Sequence, residues 1–440
     1  MNKKIKVLIS FGTRPEGIKV APVIKQIQKN TDKFELIVCS TGQHKEMLSQ
    51  VIDFFELKPD IGLNVMTQNQ SLGMLSSKLI GSMEEVFQNT RPDIVLVQGD
   101  TTTAFLTAFI AFYQKIKVGH IEAGLRTYNK YSPFPEEINR QLVSRIADLH
   151  FTPTKEAYKN LINEGIDKNN VFLTGNTVVD AINWGIDKIN NKNTKNKNKN
   201  TNIVKNNLVP ESEKDLEQKF LDEFEYKPQY ISYDKSENIP EVTEHSFEEK
   251  SNGKSEDIKY LESLIKSDRK VILVTMHRRE SFGEDIKNVC EALKFLSQKY
   301  RDIDIVYPVH LNPNVSGPVN EILGNIENIK LVKPLSYEPF LWLMSKSYFI
   351  ITDSGGVQEE APTLKKPVLV IRKFTERAES VKLGISKLVG TDTQNIINNA
   401  SLLLDSDEEY KKMVAEKNPY GDGRASERIV SAILSYFKNN

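Results

Sequence analysis

Three acidic side chains stand where a strand-like run ends or a helix begins. They are Asp100 in Gly99-Asp-Thr-Thr-Thr103, Glu122 in Glu122-Ala-Gly-Leu-Arg126, and Glu136 in Pro135-Glu-Glu-Ile-Asn-Arg140. Carboxylates that converge on one carbon can take a proton from it and return one. Two of the three also have a plainer reading. Asp100 is a common helix-capping type and, taken alone, is expected to cap. Glu136 and Arg140 stand four apart and can pair along a helix. Glu122 is harder to explain away, because a Glu before Ala-Gly is not a turn former.

A second set suits an anion. The run ending at Phe11 leads into Gly12-Thr-Arg-Pro-Glu-Gly-Ile-Lys19, where a helix start would offer free N–H groups beside Arg14 and Lys19. Its glycine spacing fits neither the dinucleotide fingerprint nor a Walker loop. His277, in Met276-His-Arg-Arg-Glu-Ser281, has two arginines beside it that disfavour its cation unless an anion is present, and a pyrophosphate is the natural one. In Asp353-Ser-Gly-Gly-Val-Gln-Glu-Glu360, Ser354, Gly355 and Gly356 open a helix as a concavity for phosphate oxygens. Glu360 can then accept from ribose hydroxyls, and Arg372 to Arg377 add cations at the edge. His310 is a weaker candidate, and His120, inside a strand, is read as structural. Together these residues suit a diphosphate-linked sugar held between two domains. No Ser-His-Asp order, paired metal ligands or nicotinamide fingerprint is present.

The elements that must position these residues are legible as short apolar runs alternating with amphipathic stretches. Lys6–Phe11, Glu35–Cys39, Ile94–Gln98, Lys117–Ile121, Leu149–Phe151 and Val171–Thr174 form one series. Val271–Thr275, Asp304–Pro308, Ile329–Val332, Phe349–Thr352, Val368–Ile371 and Ser386–Val389 form another. Helical stretches include Ile18–Lys29, Leu72–Gln88, Thr103–Gln114 and Glu136–Ala147. The pattern predicts an α/β fold of two doubly wound parallel sheets, each covered by helices. In such sheets ligands bind outside the carboxyl ends of the strands, where all the candidate residues lie.

The expected division is 1–180 and 181–423, interrupted by a polar insertion at about 190–256. Residues 190–200 hold six Asn, four Lys and one Thr, and residues 211–256 carry 14 acidic against 6 basic side chains, too polar to bury a core. This segment accounts for much of the negative mean hydropathy of −0.42. The 440 residues otherwise have 39% hydrophobic content, enough for sizeable cores. Lys+Arg and Asp+Glu balance at 59 each, so no whole-protein field favours nucleic acid or an anionic membrane. Two cysteines, Cys39 and Cys290, are too few and too isolated for a disulfide framework or a thiolate zinc site. The apolar start Ile5–Phe11 is too short for a signal peptide, and no run is long enough to cross a bilayer. A soluble cytoplasmic protein is expected.

The motifs in order then point further. Phe11-Gly-Thr-Arg-Pro-Glu16, Gly99-Asp-Thr-Thr-Thr103, Gly119-His-Ile-Glu-Ala-Gly-Leu-Arg-Thr127, Ser132-Pro-Phe-Pro-Glu-Glu137, Gly175-Asn-Thr-Val-Val-Asp180, His277-Arg-Arg-Glu-Ser281, Asp353 to Glu360 and Asn418-Pro-Tyr-Gly-Asp-Gly423 resemble the non-hydrolysing UDP-N-acetylglucosamine 2-epimerases. The resemblance covers nearly everything outside 190–256. It implies two Rossmann-like domains facing each other as in GT-B glycosyltransferases, with a C-terminal helix, here 424–437, crossing back onto the first. It implies interconversion of UDP-GlcNAc and UDP-ManNAc without a cofactor or metal, through a bound 2-acetamidoglucal and UDP. Asp100, Glu122 and Glu136 are the implied acid/base groups, and His277 the partner of the departing diphosphate or an additional acid. Arg14, Lys19, Ser354, Gly355, Gly356, Glu360 and Arg377 would hold UDP, with Phe340 beside the uracil. A homodimer supplying N-acetylmannosamine units to a surface polysaccharide is implied as well. Met276 and Ala378 differ from common family residues. Gln43 and His44 match part of a second, activating UDP-GlcNAc site, while Asn69 stands where an arginine is common. The rival readings are an epimerase of a modified UDP-sugar, a hydrolysing relative, a GT-B glycosyltransferase and a UDP-sugar sensor.

Overall fold

The computed structural model describes residues 3–42, 45–66, 70–201, 255–278, 283–375, 377–414 and 417–439. Gln43, His44, Asn69, Arg279 to Ser281 and most of the expected insertion lie outside these. The first sheet comprises β1 (Ile5–Phe11), β2 (Phe34–Ser40), β3 (Ile61–Gly62), β4 (Ile94–Gln98), β5 (Lys117–Ile121), β6 (Leu149–Thr152) and β7 (Val171–Leu173). Its order is β3-β2-β1-β4-β5-β6-β7, and the pairings are parallel. The second comprises β8 (Lys270–Thr275), β9 (Ile303–Pro308), β10 (Ile329–Val332), β11 (Phe349–Thr352), β12 (Val368–Val370) and β13 (Ser386–Leu388), in the order β10-β9-β8-β11-β12-β13. These are two Rossmann-like domains. Each apolar run of the sequence falls on a strand; β3 has no counterpart among them, because two residues cannot show alternation or an apolar run.

Strand order reverses between β1 and β4 in the first sheet and between β8 and β11 in the second. At such a reversal the following helices go to opposite faces and leave a crevice at the carboxyl ends. The first domain's helices are α1 (Arg14–Gln28), α2 (Lys45–Phe54), α3 (Leu72–Thr90), α4 (Thr102–Tyr113), α5 (Glu136–Ile146) and α6 (Lys155–Asn163), and α7 (Thr177–Thr201) leads out of it. α1 starts four residues earlier than its apolar period suggests. Thr13 and Glu16 form a capping box there, and Pro15 occupies the first turn.

One apolar cluster runs through both domains, joining Val7, Ile9 and Phe11 of β1 to Val271 and Leu273 of β8. At its waist Phe55 stacks on Trp184 of α7 at 5.0 Å, and Phe54 meets Tyr337 edge-on at 5.4 Å. Gly185 permits this approach, since a Cβ there would stand 2.6 Å from Leu341 Cδ2 and 3.3 Å from the Phe54 ring. The helix Ala425–Asn439 packs on α1 and α7. Asp180 caps its start, accepting from Ser426 N at 2.9 Å, Ser426 Oγ at 2.6 Å and Ala425 N at 3.2 Å.

Candidate active site

The loops after β1 and β4 meet at the first reversal, and Glu16 ties them together. Its buried carboxylate accepts from Thr13 N at 2.7 Å, Gly12 N at 3.0 Å and Thr101 Oγ1 at 2.6 Å. The expectation of free N–H groups here is therefore narrowed: the chain supplies its own anion to Gly12 and Thr13, the two groups just ahead of the helix. Burial pushes the Glu16 carboxyl up, with these donors opposing. Arg14, at the first helical position, keeps its guanidinium near Glu360 of the second domain.

Asp100 does not cap α4. Thr101 does, accepting from Ala104 N at 3.0 Å, because the turn at Gly99, with φ of 69°, places Asp100 one position too early. The Asp100 carboxylate instead pairs with Arg140 of α5, and its carbonyl accepts from Asn139 Nδ2 at 2.9 Å. The expected Glu136–Arg140 pair is likewise absent among the described residues. Arg140 turns to Glu137 at 3.3 Å as well as to Asp100. Fully buried, Glu137 also accepts from Thr127 N and Tyr128 N, each at 3.0 Å, and so fixes the loop entering α5. Glu136 is left half-buried at the helix start. Burial and then the charge of Asp100 raise its pKa, while Arg140 and Arg278 act against this.

Glu122 ends β5 in the left-handed region, with φ of 65°. A non-glycine residue rarely adopts this conformation, and such strain gathers at functional positions. Its carboxylate is buried against Lys19, and Asn176 Nδ2 donates to it at 3.2 Å. Burial raises its pKa; Lys19 opposes, and Glu359 and Asp100 add to the rise. Asp100 thus acts electrostatically on both Glu122 and Glu136, which places the three acid/base candidates around one region. His120 donates from Nε2 to Gly99 O at 2.8 Å, and burial lowers its pKa to about 3. It supports the Asp100 loop from below as a neutral ring.

Across the cleft stands a residue the sequence reading passed over. Glu359 is 2% exposed and contacts Lys19 Nζ at 2.9 Å, Arg377 Nε at 3.0 Å and Asn176 Nδ2 at 3.4 Å. Lys19 and Arg377, both expected among the UDP contacts, therefore join a buried cluster with Glu122 and Glu359 that spans the two domains. Burial works against the Lys19 ammonium, but Glu122 and Glu359 outweigh it and hold its pKa above the usual lysine range. Gly355 makes room for this arrangement, because a Cβ there would meet the Arg377 guanidinium carbon at 3.0 Å. Ser354 caps the short helix Gly355–Glu360. Gly356 is exposed beside it. Burial pushes Glu360 up to about 7, with Arg14 opposing. Phe340 lies partly exposed on the helix Tyr337–Lys346, whose first residue is close enough to Glu360 for that charge, after burial, to raise the Tyr337 phenol.

At the second reversal, His277 ends β8 beside Asp353 at the end of β11. The anion that offsets its arginine neighbours is Asp353 itself, 3.0 Å from Nδ1. His310 is exposed and accepts from Asn312 N at 3.2 Å, a contact within its own turn. Among the described residues, no group of three or more His, Cys, Asp or Glu is placed to hold a metal ion. No helix among them is long and apolar enough to cross a membrane.

The sequence matches the family model for UDP-N-acetylglucosamine 2-epimerase over residues 25–217 and 239–434. The chain belongs to that family. The UDP-N-acetylglucosamine 2-epimerase of Campylobacter jejuni is 48% identical over 435 residues, covering 99% of this chain and 98% of that one. The crystal structure of UDP-GlcNAc 2-epimerase from Neisseria meningitidis bound to UDP-GlcNAc superposes with a TM-score of 0.78 at 42% identity, covering 98% of this chain and 100% of that one. A kitacinnamycin glycotransferase shares the fold alone, with a TM-score of 0.55 at 9% identity, covering 99% of each chain. Residues 218–238, which the 2-epimerase family model leaves unmatched, fall inside the segment expected to be an insertion.

Proposed function

We propose that this chain interconverts UDP-N-acetylglucosamine and UDP-N-acetylmannosamine without hydrolysing either. The observation that carries the reading is that Asp100 acts electrostatically on both Glu122 and Glu136, while Glu122 shares Lys19 with Glu359 of the second Rossmann-like domain. Inverting a carbon by deprotonation needs one acid/base group on each face of C2. The three carboxylates are the groups proposed for this, and burial raises the pKa of Glu122 and of Glu136 above the usual carboxylate value, which favours proton uptake there. UDP leaves C1 as the C2 proton is taken, giving bound 2-acetamidoglucal, and returns as a proton reaches the opposite face.

The departing diphosphate needs donors and positive charge where its own charge develops. Ser354, Gly355 and Gly356 offer the start of a helix, with His277 at the neighbouring strand end and Arg14 and Arg377 at the sides. Lys19 acts here through Glu122 and Glu359, and Glu360 and Phe340 take the ribose and uracil. The acid/base domain corresponds to 1–180 with the C-terminal helix 424–437, and the UDP domain to 181–423. A cytoplasmic homodimer completes the reading. Phe112 and Tyr113 on α4 and Ile138 and Leu142 on α5 lie exposed on two helices packed side by side, and a second copy would cover them.

Asp100→Asn tests the reading. Turnover of UDP-GlcNAc is expected to fall by at least about 100-fold, with UDP binding retained by calorimetry. Turnover unchanged in the variant would remove the acid/base assignment and favour a ligand-binding protein.

A further inference from the structure

Asp353 is fully buried at the end of β11, against the end of β8. Register explains the meeting, because Thr352 pairs with Thr275 and the next residues of both strands emerge together. One carboxylate oxygen, Oδ2, accepts from His277 N and Arg278 N, each at 2.8 Å. The other, Oδ1, lies 3.0 Å from His277 Nδ1, close enough for an ion pair but out of line for a hydrogen bond at rest, and no other donor meets it. The imidazole is half-exposed, so with Nδ1 against the buried carboxylate its other nitrogen is left for the cleft.

We propose that Asp353 is the positioning residue for His277, holding the neutral imidazole as its Nδ1–H tautomer and presenting Nε2 to the departing diphosphate. This rests on the proposed role of His277 in that departure. The two backbone bonds lock the carboxylate plane, and an acceptor-only oxygen aimed at Nδ1 selects a ring with its proton there. Burial alone would raise the Asp353 pKa, but the imidazole and the two backbone donors hold it below the usual range. It therefore remains an anion throughout neutral pH.

Asp353→Asn gives a sharp test, because the amide has only one acceptor oxygen. That oxygen must stay with the two backbone donors, which puts the NH2 group against Nδ1. Two donors cannot face each other, so the ring must move its proton to Nε2. The full chain, labelled with 15N-histidine, is compared by long-range proton–nitrogen correlation in the absence of any nucleotide. The chain has six histidines, and His277→Gln assigns the signal.

Wild-type protein is expected to show a protonated Nδ1 and a bare Nε2, and Asp353→Asn the reverse. In parallel, kcat of Asp353→Asn is expected to fall by about 100-fold, with KM for UDP-GlcNAc within about twofold of wild type. Wild type with the proton on Nε2, or a variant whose tautomer is unchanged, would overturn the proposal. So would an unchanged kcat with only a lower melting temperature, which would mark Asp353 as structural. A chain that does not epimerise would refute the proposed function and leave the tautomer spectrum to decide the Asp353–His277 pairing.

Discussion

Two adjacent acidic pairs, Glu136-Glu137 and Glu359-Glu360, show what a single residue's place on a helix decides. In each pair one member is buried in ion pairs and the other is only partly buried: Glu137 and Glu359 go in, while Glu136 and Glu360 keep some exposure. Successive helical residues point about 100° apart, so neighbours of the same type meet different surroundings. The sequence makes the motifs visible, but not which member of a doublet finds a partner: Arg140 lies within reach of both Glu136 and Glu137 on one helix, and Lys19 comes from another element. Glu359 is the clearest case, since its partners lie at positions 19, 176 and 377. Glu359→Gln strips Lys19 of one counterion and leaves Arg377 without its buried carboxylate. Breaking a buried pair from one side typically costs about 3–5 kcal/mol, and a loss of about 3 kcal/mol is expected in urea unfolding. A change below about 0.5 kcal/mol would mean the cluster is not held together by this residue.

Among the elements, the strands were the most legible, because parallel strands covered on both faces are apolar almost without interruption. Their carboxyl ends were legible too, and Asp100, Glu122, His277 and Ser354 each lie within two residues of one. Helix starts were less so. At both Asp100 and Glu136 a neighbour took the expected contact, since a shift of one residue in a turn changes which side chain reaches the cap. The buried histidine pair on β5 and β6 shows an element acting as a unit. His120 and His150 are register partners, with pKa values lowered by burial to about 3 and about 4. Both remain neutral in the folded protein while the unfolded chain takes up protons below about pH 6.5. The unfolded state then binds more protons, so these groups favour unfolding as pH falls from about 6.5 toward their folded values. His120→Asn removes one of them. The stability advantage of wild type over this variant, measured in urea, is expected to shrink by about 2 kcal/mol between pH 7 and pH 5. An advantage that stays constant or widens would contradict a buried neutral His120.

At the scale of the whole molecule, the two domains are joined by a shared apolar cluster, an aromatic contact at Gly185 and the charge cluster around Glu359. None of these could be read from the chain, because each depends on how two separately patterned halves face each other. The tandem series of strands announced the halves; their relative placement comes from long-range contacts. The proposed homodimer is a claim at this scale. Sedimentation of wild type is expected at about twice 50.1 kDa, and Phe112→Asp combined with Tyr113→Ser is expected at the monomer mass. Wild type sedimenting as a monomer at micromolar concentration would contradict it. The central claim is chemical, however: C2 of a UDP-linked sugar exchanges its proton within this cleft. Proton NMR of the purified chain with UDP-GlcNAc in deuterated water reads that event directly. The account predicts UDP-ManNAc appearing with deuterium at C2 and no free sugar accumulating. Free N-acetylmannosamine with UDP, or neither exchange nor product, would contradict it.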